Sequence, residues 1–191
     1  VLPLPLSYIL TFGWVLGVIN AYNLIDGLDG LCGSFSITTV ITLGILYILS
    51  GNSESTLCFM LAASIFGFLC FNWPPAKIFM GDAGSQFLGF MISVFPLFDS
   101  SDIFEHNKFL IMIVVTSFPV FDTIAAIWRR IRDKRPIMSP DRAHLHHKLL
   151  NMGYSKKTAL YLMCFLQLLL CGSVIISYFL GAIRGMALLL E

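Results

Sequence analysis

The chain has 191 residues, 57% of them hydrophobic and only 12% charged, with a mean hydropathy of +0.84. Soluble domains carry about 25% charged residues, so a water-soluble globular domain is excluded and the chain is an integral membrane protein. The net charge of +1 is uninformative; the placement of the charges along the chain is what distinguishes its segments.

Apolar runs, measured against the ~20 residues that cross a bilayer, predict six membrane helices at about 4–21, 32–50, 56–72, 84–98, 109–128 and 159–180. The expected fold class is all-α, a polytopic bundle forming a single membrane domain over residues 1–191. Val1 is neither an initiator Met nor the basic start of a signal peptide. The chain closes on an apolar Gly-Met-Ala-Leu-Leu-Leu-Glu, so it reads as the C-terminal part of a larger helical bundle. Cys32, Cys58, Cys70, Cys164 and Cys171 lie in apolar contexts without CxxC spacing. They read as free thiols, with neither a disulfide frame nor a zinc site.

Nine of the twelve lysines and arginines fall between Arg129 and Lys157, and basic loops stay in the cytoplasm. The interval 129–158 is therefore predicted cytoplasmic. Counting helices back from it puts 73–84 and 20–31 on the same side and 50–55 and 99–108 outside. Parity thus brings three polar segments to one face.

In the first of these, Asn20-Ala-Tyr-Asn-Leu-Ile-Asp-Gly-Leu-Asp-Gly30, the side chains of Asn20, Asn23, Asp26 and Asp29 repeat every three residues and would line one side of a helical turn. Gly27 and Gly30 let the backbone bend or come close to a bound group. Asp-Gly is a common turn pair, but carboxylates at the end of a membrane helix are expensive enough to be functional. The stretch reads as holding a divalent metal and a nucleotide at the membrane surface.

In the second segment, Asp82 of Met80-Gly81-Asp82-Ala83-Gly84-Ser85 precedes a predicted helix. It would serve as an N-cap and as a hard oxygen ligand for Mg²⁺, beside a helix N-terminus that favours an anion. The third, Ser139-Pro140-Asp141-Arg142-Ala143-His144-Leu145-His146-His147-Lys148, lacks the distant ligand and spacing of a structural zinc site. It suits phosphate, with the histidines beside Arg142 and Lys148 as hydrogen-bond donors and cations; an ordinary basic loop at anionic lipid would explain Arg129–Arg135 but leaves the histidines unexplained. Asp122, six residues before Trp128, sits about 9 Å below the interface. It is open to a structural pairing with a loop Arg or to an active-site role. Pro119 frees a carbonyl one turn earlier.

The segments Asn20–Leu31, Asn72–Ser85 and Asp141–Leu149 together resemble the polyprenyl-phosphate N-acetylhexosamine-1-phosphate transferases of bacterial membranes, relatives of the phospho-MurNAc-pentapeptide transferase of peptidoglycan synthesis. The run Asp-Arg-Ala-His-Leu-His-His-Lys-Leu-Leu is similar to the branch that transfers GlcNAc-1-phosphate to undecaprenyl phosphate. The resemblance implies an enzyme that moves a sugar-1-phosphate from a UDP-N-acetylhexosamine to a polyprenyl phosphate, with release of UMP, for cell-envelope polysaccharide synthesis. It implies Mg²⁺, or Mn²⁺, held at Asn23 and Asp82. Substrate would lie at Asn20, Gly27, Leu28, Asp29 and Asn72, and catalysis would fall to Asp26, Arg142, His144, His146 and His147. The implied place is the bacterial inner membrane, with the active site on its cytoplasmic face. No nucleic acid is expected, and a homodimer is left open. The family's Asp-Asp motif would lie upstream of Val1, since no adjacent Asp pair occurs in this chain. Rival readings are a cation-coupled transporter, which should carry polar groups near the midplane of several helices, and a non-catalytic fragment.

Overall fold

The computed structural model describes residues 4–98, 102–136 and 144–181. Among these the chain forms seven α-helices and no strand: α1 (Leu4–Ile25), α2 (Leu31–Leu49), α3 (Ser55–Asn72), α4 (Gly81–Phe98), α5 (Asp102–Arg132), α6 (Leu145–Asn151) and α7 (Lys156–Phe179). Five are long and apolar enough to cross a membrane, namely α1, α2, α3, α7 and the Phe109–Arg132 part of α5. The sixth expected span is α4, whose first turns spend Asp82, Ser85 and Gln86 on polar positions and so shorten its apolar run. Two boundaries differ from expectation. Asp102 and Glu105, expected in an outer loop, belong to α5, and Asp82 lies inside the first turn of α4 instead of ahead of it. All five cysteines are free.

Helix α2 is the centre of the bundle. It packs against α1, α3, α4, α5 and α7, with Phe35, Leu43, Leu46 and Tyr47 fully buried. A helix apolar on all sides belongs in an interior. By contrast α1 buries only its last turns, through Val18, Ala21, Tyr22 and Ile25. There it meets α4 at close range, because a Cβ on Gly89 would stand 2.8 Å from the Ile19 Cα and 3.1 Å from the Val18 carbonyl oxygen. Small residues permit such backbone approach between membrane helices, and this one sets the distance between the end of α1 and the start of α4.

Pro119 lies within α5, and its missing N–H leaves the Val115 carbonyl without its helical donor. The Gln167 Nε2 of α7 donates to that oxygen at 2.9 Å and the Thr39 hydroxyl of α2 at 3.3 Å. Gln167 also donates to Thr39 Oγ1 at 3.0 Å, and Tyr22 of α1 shares a hydroxyl contact with Thr39 at 3.3 Å. One orphan carbonyl thus ties four helices together inside the bilayer. Gln167→Leu should lower thermal stability in detergent by about 1–2 kcal/mol, the cost of removing one buried hydrogen-bond partner. Pro119→Ala restores a backbone donor for Val115, so the same substitution in that background should cost much less. Equal losses in both backgrounds, read from thermal melts, would contradict the assignment.

Candidate functional site

Three non-helical junctions meet at one end of the bundle. The first is the turn 26–30, where α1 has already ended at Ile25. The predicted ladder is accordingly broken. Asn20 is exposed and donates back to the Leu16 carbonyl at 2.8 Å, Asn23 is half-buried in the last turn of α1, and Asp26 and Asp29 lie in the turn itself. Asn23 Oδ1 accepts the Ser85 hydroxyl of α4 at 2.9 Å, which seats the Asp82 turn beside it.

Asn72, at the end of α3, connects the first junction to the second, residues 73–80. Its Oδ1 accepts the Gly30 N–H at 2.9 Å and its Nδ2 donates to the Ile78 carbonyl at 2.7 Å. Asp29 Oδ2 accepts the Ala76 N–H at 3.3 Å. The amide of Asn72 is thereby engaged within the protein, and the Leu28 side chain is buried in the core. Gly30 takes φ +78° and turns the chain into α2, a left-handed conformation that suits glycine.

Asp26, Asp29 and Asp82 make this end strongly acidic. Burial first, then the charges of Asp82 and Asp29, push the Asp26 carboxyl up to about 6. Among the described residues no group of three or more His, Cys, Asp or Glu encloses a metal. Mg²⁺ does not require one, since it is commonly held by one or two carboxylates and completed by water and phosphate oxygens. The hard-oxygen donors Asp82 and Asn23, joined through Ser85, fit an ion shared with a ligand in that way. They do not fit a protein-enclosed site.

The third junction carries the histidines. Arg142 lies outside the described residues. His144 occupies the N-cap position of α6, and His146 and His147 stand on that short helix, where a loop was expected. Asp122, reaching from α5, accepts the Leu145 N–H on Oδ1 at 3.1 Å and faces His144 Nδ1 with Oδ2 at 2.8 Å. Among the described residues its partners are thus His144 and the Leu145 N–H, while the pairing with a loop Arg considered from sequence lies outside the described residues where it would involve Arg142. The rings of His144 and His146 are parallel at 5.9 Å, and His147 lies 4.2 Å from His146.

His146 is 2% exposed, and among the described residues neither ring nitrogen has a hydrogen-bond partner. Burial, followed by the neighbouring His147 and His144, lowers its pKa to about 4. It is consequently neutral at neutral pH, which departs from the expectation that all three histidines could serve as cations. Its ring lies directly against Gly27, where a Cβ would come within 2.7 Å of Nε2 and 3.0 Å of Cε1. The close approach expected at Gly27 is thus made by a side chain of α6, which joins the acidic turn to the histidine helix.

Sequence reading did not find Ser85, the pairing of Asp122 with His144, or α6 itself. The acid three residues past a proline in an apolar helix was the available signal for Asp122. Apart from Asp122, the acids and bases of the described helices stand near helix ends, whereas a transporter pathway would carry them near the midplane.

Fold and site together define a polytopic helical membrane protein whose polar groups gather at one end of the bundle. The family described as glycosyl transferase family 4 matches residues 1–98, from α1 through α4, and the chain belongs to that family. The chain is 42% identical over 153 residues to the probable undecaprenyl-phosphate N-acetylglucosaminyl 1-phosphate transferase of Bacillus subtilis (strain 168), a match covering 80% of this chain and 43% of that protein. It is 36% identical over 176 residues to the decaprenyl-phosphate N-acetylglucosaminephosphotransferase of Mycolicibacterium smegmatis, covering 82% of this chain and 43% of that one. Against the undecaprenyl-phosphate alpha-N-acetylglucosaminyl 1-phosphate transferase of Escherichia coli (strain K12) the identity is 31% over 164 residues, covering 83% and 44%. The chain spans somewhat under half the length of these relatives.

The contact between Gly27 and His146 is open to test by thermal melting. Gly27→Ala should destabilise by about 1–3 kcal/mol through overpacking against the ring. In a His146→Ala background, where the space is vacated, the same change should cost much less. Additive losses would show that the two residues do not press on each other.

Proposed function

We propose that the complete protein transfers an N-acetylhexosamine-1-phosphate, N-acetylglucosamine by the names of its relatives, from a UDP-sugar to a polyprenyl phosphate, with release of UMP. One observation supports the reading: among the described residues the segments of the family resemblance come together at one end of the bundle, through Asn72 with Gly30, Asp29 with Ala76, Asn23 with Ser85 and His146 against Gly27. A phosphoryl transfer of this kind needs little covalent help and rests on positioning and charge neutralisation.

In this reading Asp82 and Asn23 hold the metal. Bound there, Mg²⁺ or Mn²⁺ would supply a Lewis acid and a template for the diphosphate. Gly27, Leu28 and Asp29 border the uridine through the turn they form, with Asn20 at its approach. Asn72 shapes that pocket by fixing Gly30 and Ile78. Asp26 acts on the attacking lipid phosphate, as proton acceptor or orienting group, and a carboxyl near 6 suits an acceptor at neutral pH. Arg142 takes diphosphate charge with a planar, two-pronged donor, His144 and His147 add donors to it, and neutral His146 supplies hydrogen bonds without charge. The site faces the cytoplasm of a bacterial inner membrane, a side supported by the basic interval 129–158.

The decisive assay is UMP release from a UDP-N-acetylhexosamine by the full-length protein in membranes. Asp82→Asn keeps the shape and loses the charge a hard cation needs, so activity should fall by at least about a hundredfold, roughly 3 kcal/mol at 1.36 kcal/mol per factor of ten. Full turnover in excess chelator would refute the metal role. Orientation is checked separately. With cysteines introduced at Ser53 and Asn151, an impermeant reagent should label only position 53 from outside intact cells. Labelling of position 151 from that side would remove the site from the cytoplasmic face.

A further inference from the structure

Asp122 stands in a membrane-spanning helix, yet both its oxygens are committed to the start of α6. Oδ1 accepts the Leu145 N–H at 3.1 Å and Oδ2 lies 2.8 Å from His144 Nδ1, with 15% of the Asp122 side chain and 6% of the His144 side chain exposed. Asp122 already accepts the Leu145 N–H, and a carboxylate only accepts, so Nδ1 is the donor of the second bond. An acceptor on Nδ1 leaves Nε2 as the nitrogen available to anything else. The consequence runs further along the chain of rings. His146 lies parallel to His144 at 5.9 Å, and its Nε2 presses on Gly27. One carboxylate of α5 thus sets the tautomer of His144, the start of α6 and, through His146, the seat of the histidine helix on the acidic turn.

We infer that Asp122 is a positioning residue of the transfer site: it keeps one proton of His144 on Nδ1, so that Nε2, once it carries a second proton, donates to a phosphate oxygen, while the same carboxylate docks α6 onto the 26–30 turn. The inference rests on the function proposed above. A purely structural role, that of accepting the Leu145 N–H, makes a different forecast, because asparagine can still accept that bond through Oδ1. Its Nδ2, however, can only donate to His144 Nδ1, which forces the proton to Nε2. The substitution Asp122→Asn therefore keeps the cap and reverses the tautomer.

The test uses full-length protein and three readouts. First, Asp122→Asn should leave the melting temperature close to wild type and lower kcat by about a hundredfold, the scale of a misplaced catalytic contact, with little change in KM for either substrate. Wild-type kcat in that variant overturns the inference, as does a loss that tracks a fall in stability. Second, adding Asp122→Asn to a His144→Asn background should have almost no further effect on kcat; an undiminished loss there means that Asp122 does not act through His144. Third, ¹⁵N spectra of histidine-labelled wild-type protein in detergent should show His144 as the Nδ1–H tautomer when neutral, and an Nε2–H tautomer overturns the inference whether or not any variant folds. Absence of UMP release by the wild-type protein would count against the proposed function alone, since the tautomer is read without turnover.

Discussion

A proline in the middle of a membrane helix creates a carbonyl that no water can reach, and much of this bundle is arranged around one such group. The Val115 oxygen, deprived of its donor by Pro119, receives Gln167 and Thr39, and Thr39 in turn meets Tyr22. The lipid interior makes an unsatisfied backbone group cost several kcal/mol, so the four helices that supply these donors are held in register by a need and not only by packing. Asp122 lies one residue short of a turn beyond Pro119. The register of α5 that satisfies the carbonyl is therefore also the one that delivers the carboxylate to α6.

At the polar end the same accounting is met by side chains that close the helix junctions. Asn72 takes a donor from the first junction and gives one to the second, Asp29 caps Ala76, Ser85 meets Asn23, and Asp122 caps Leu145. With the backbone satisfied in this way, the remaining charge is concentrated where it is least comfortable. Asp26 is pushed up to about 6 by burial and by two neighbouring acids, so the fold binds its proton more tightly than the unfolded chain does. Stability is then lost as pH rises between about 4 and 6, the sign expected of a site that gives up stability for binding. The cost falls on Asp26, a carboxyl that lies against two like charges and is itself partly buried.

Composition alone fixed the class, and the six apolar runs lay close to the observed helices because a span of lipid demands length and hydropathy, both of which can be counted. The convergence of the three polar segments was legible from parity, since each membrane crossing reverses the side. What could not be read was pairing across the bundle. Nothing along the chain announces that Asp122 meets His144, or that Gly27 makes room for His146, because these depend on the rotation of α5 about its axis and on a seven-residue helix too short for periodicity to reveal. The ladder from Asn20 to Asp29 failed for a related reason. The spacing of three persists in sequence, but α1 stops at Ile25, and the last two rungs turn away from the helix that would have aligned them.

The neutrality of His146 changes how charge is divided at this end of the molecule. A histidine buried between two others and an acidic turn pays for ionisation in desolvation and in repulsion from His144 and His147, and the acid Asp122 offsets only part of this. Lys148 carries the positive charge of α6, while His146 lies uncharged against Gly27. An uncharged ring at this seam lets the turn that carries Asp26 and Asp29 stand close to α6 without adding a buried charge between them. The seam between Gly27 and His146 thus joins the acidic turn to the histidine helix through close packing, which is why the short helix α6 can hold its place at the end of the bundle with so little of its own length to anchor it.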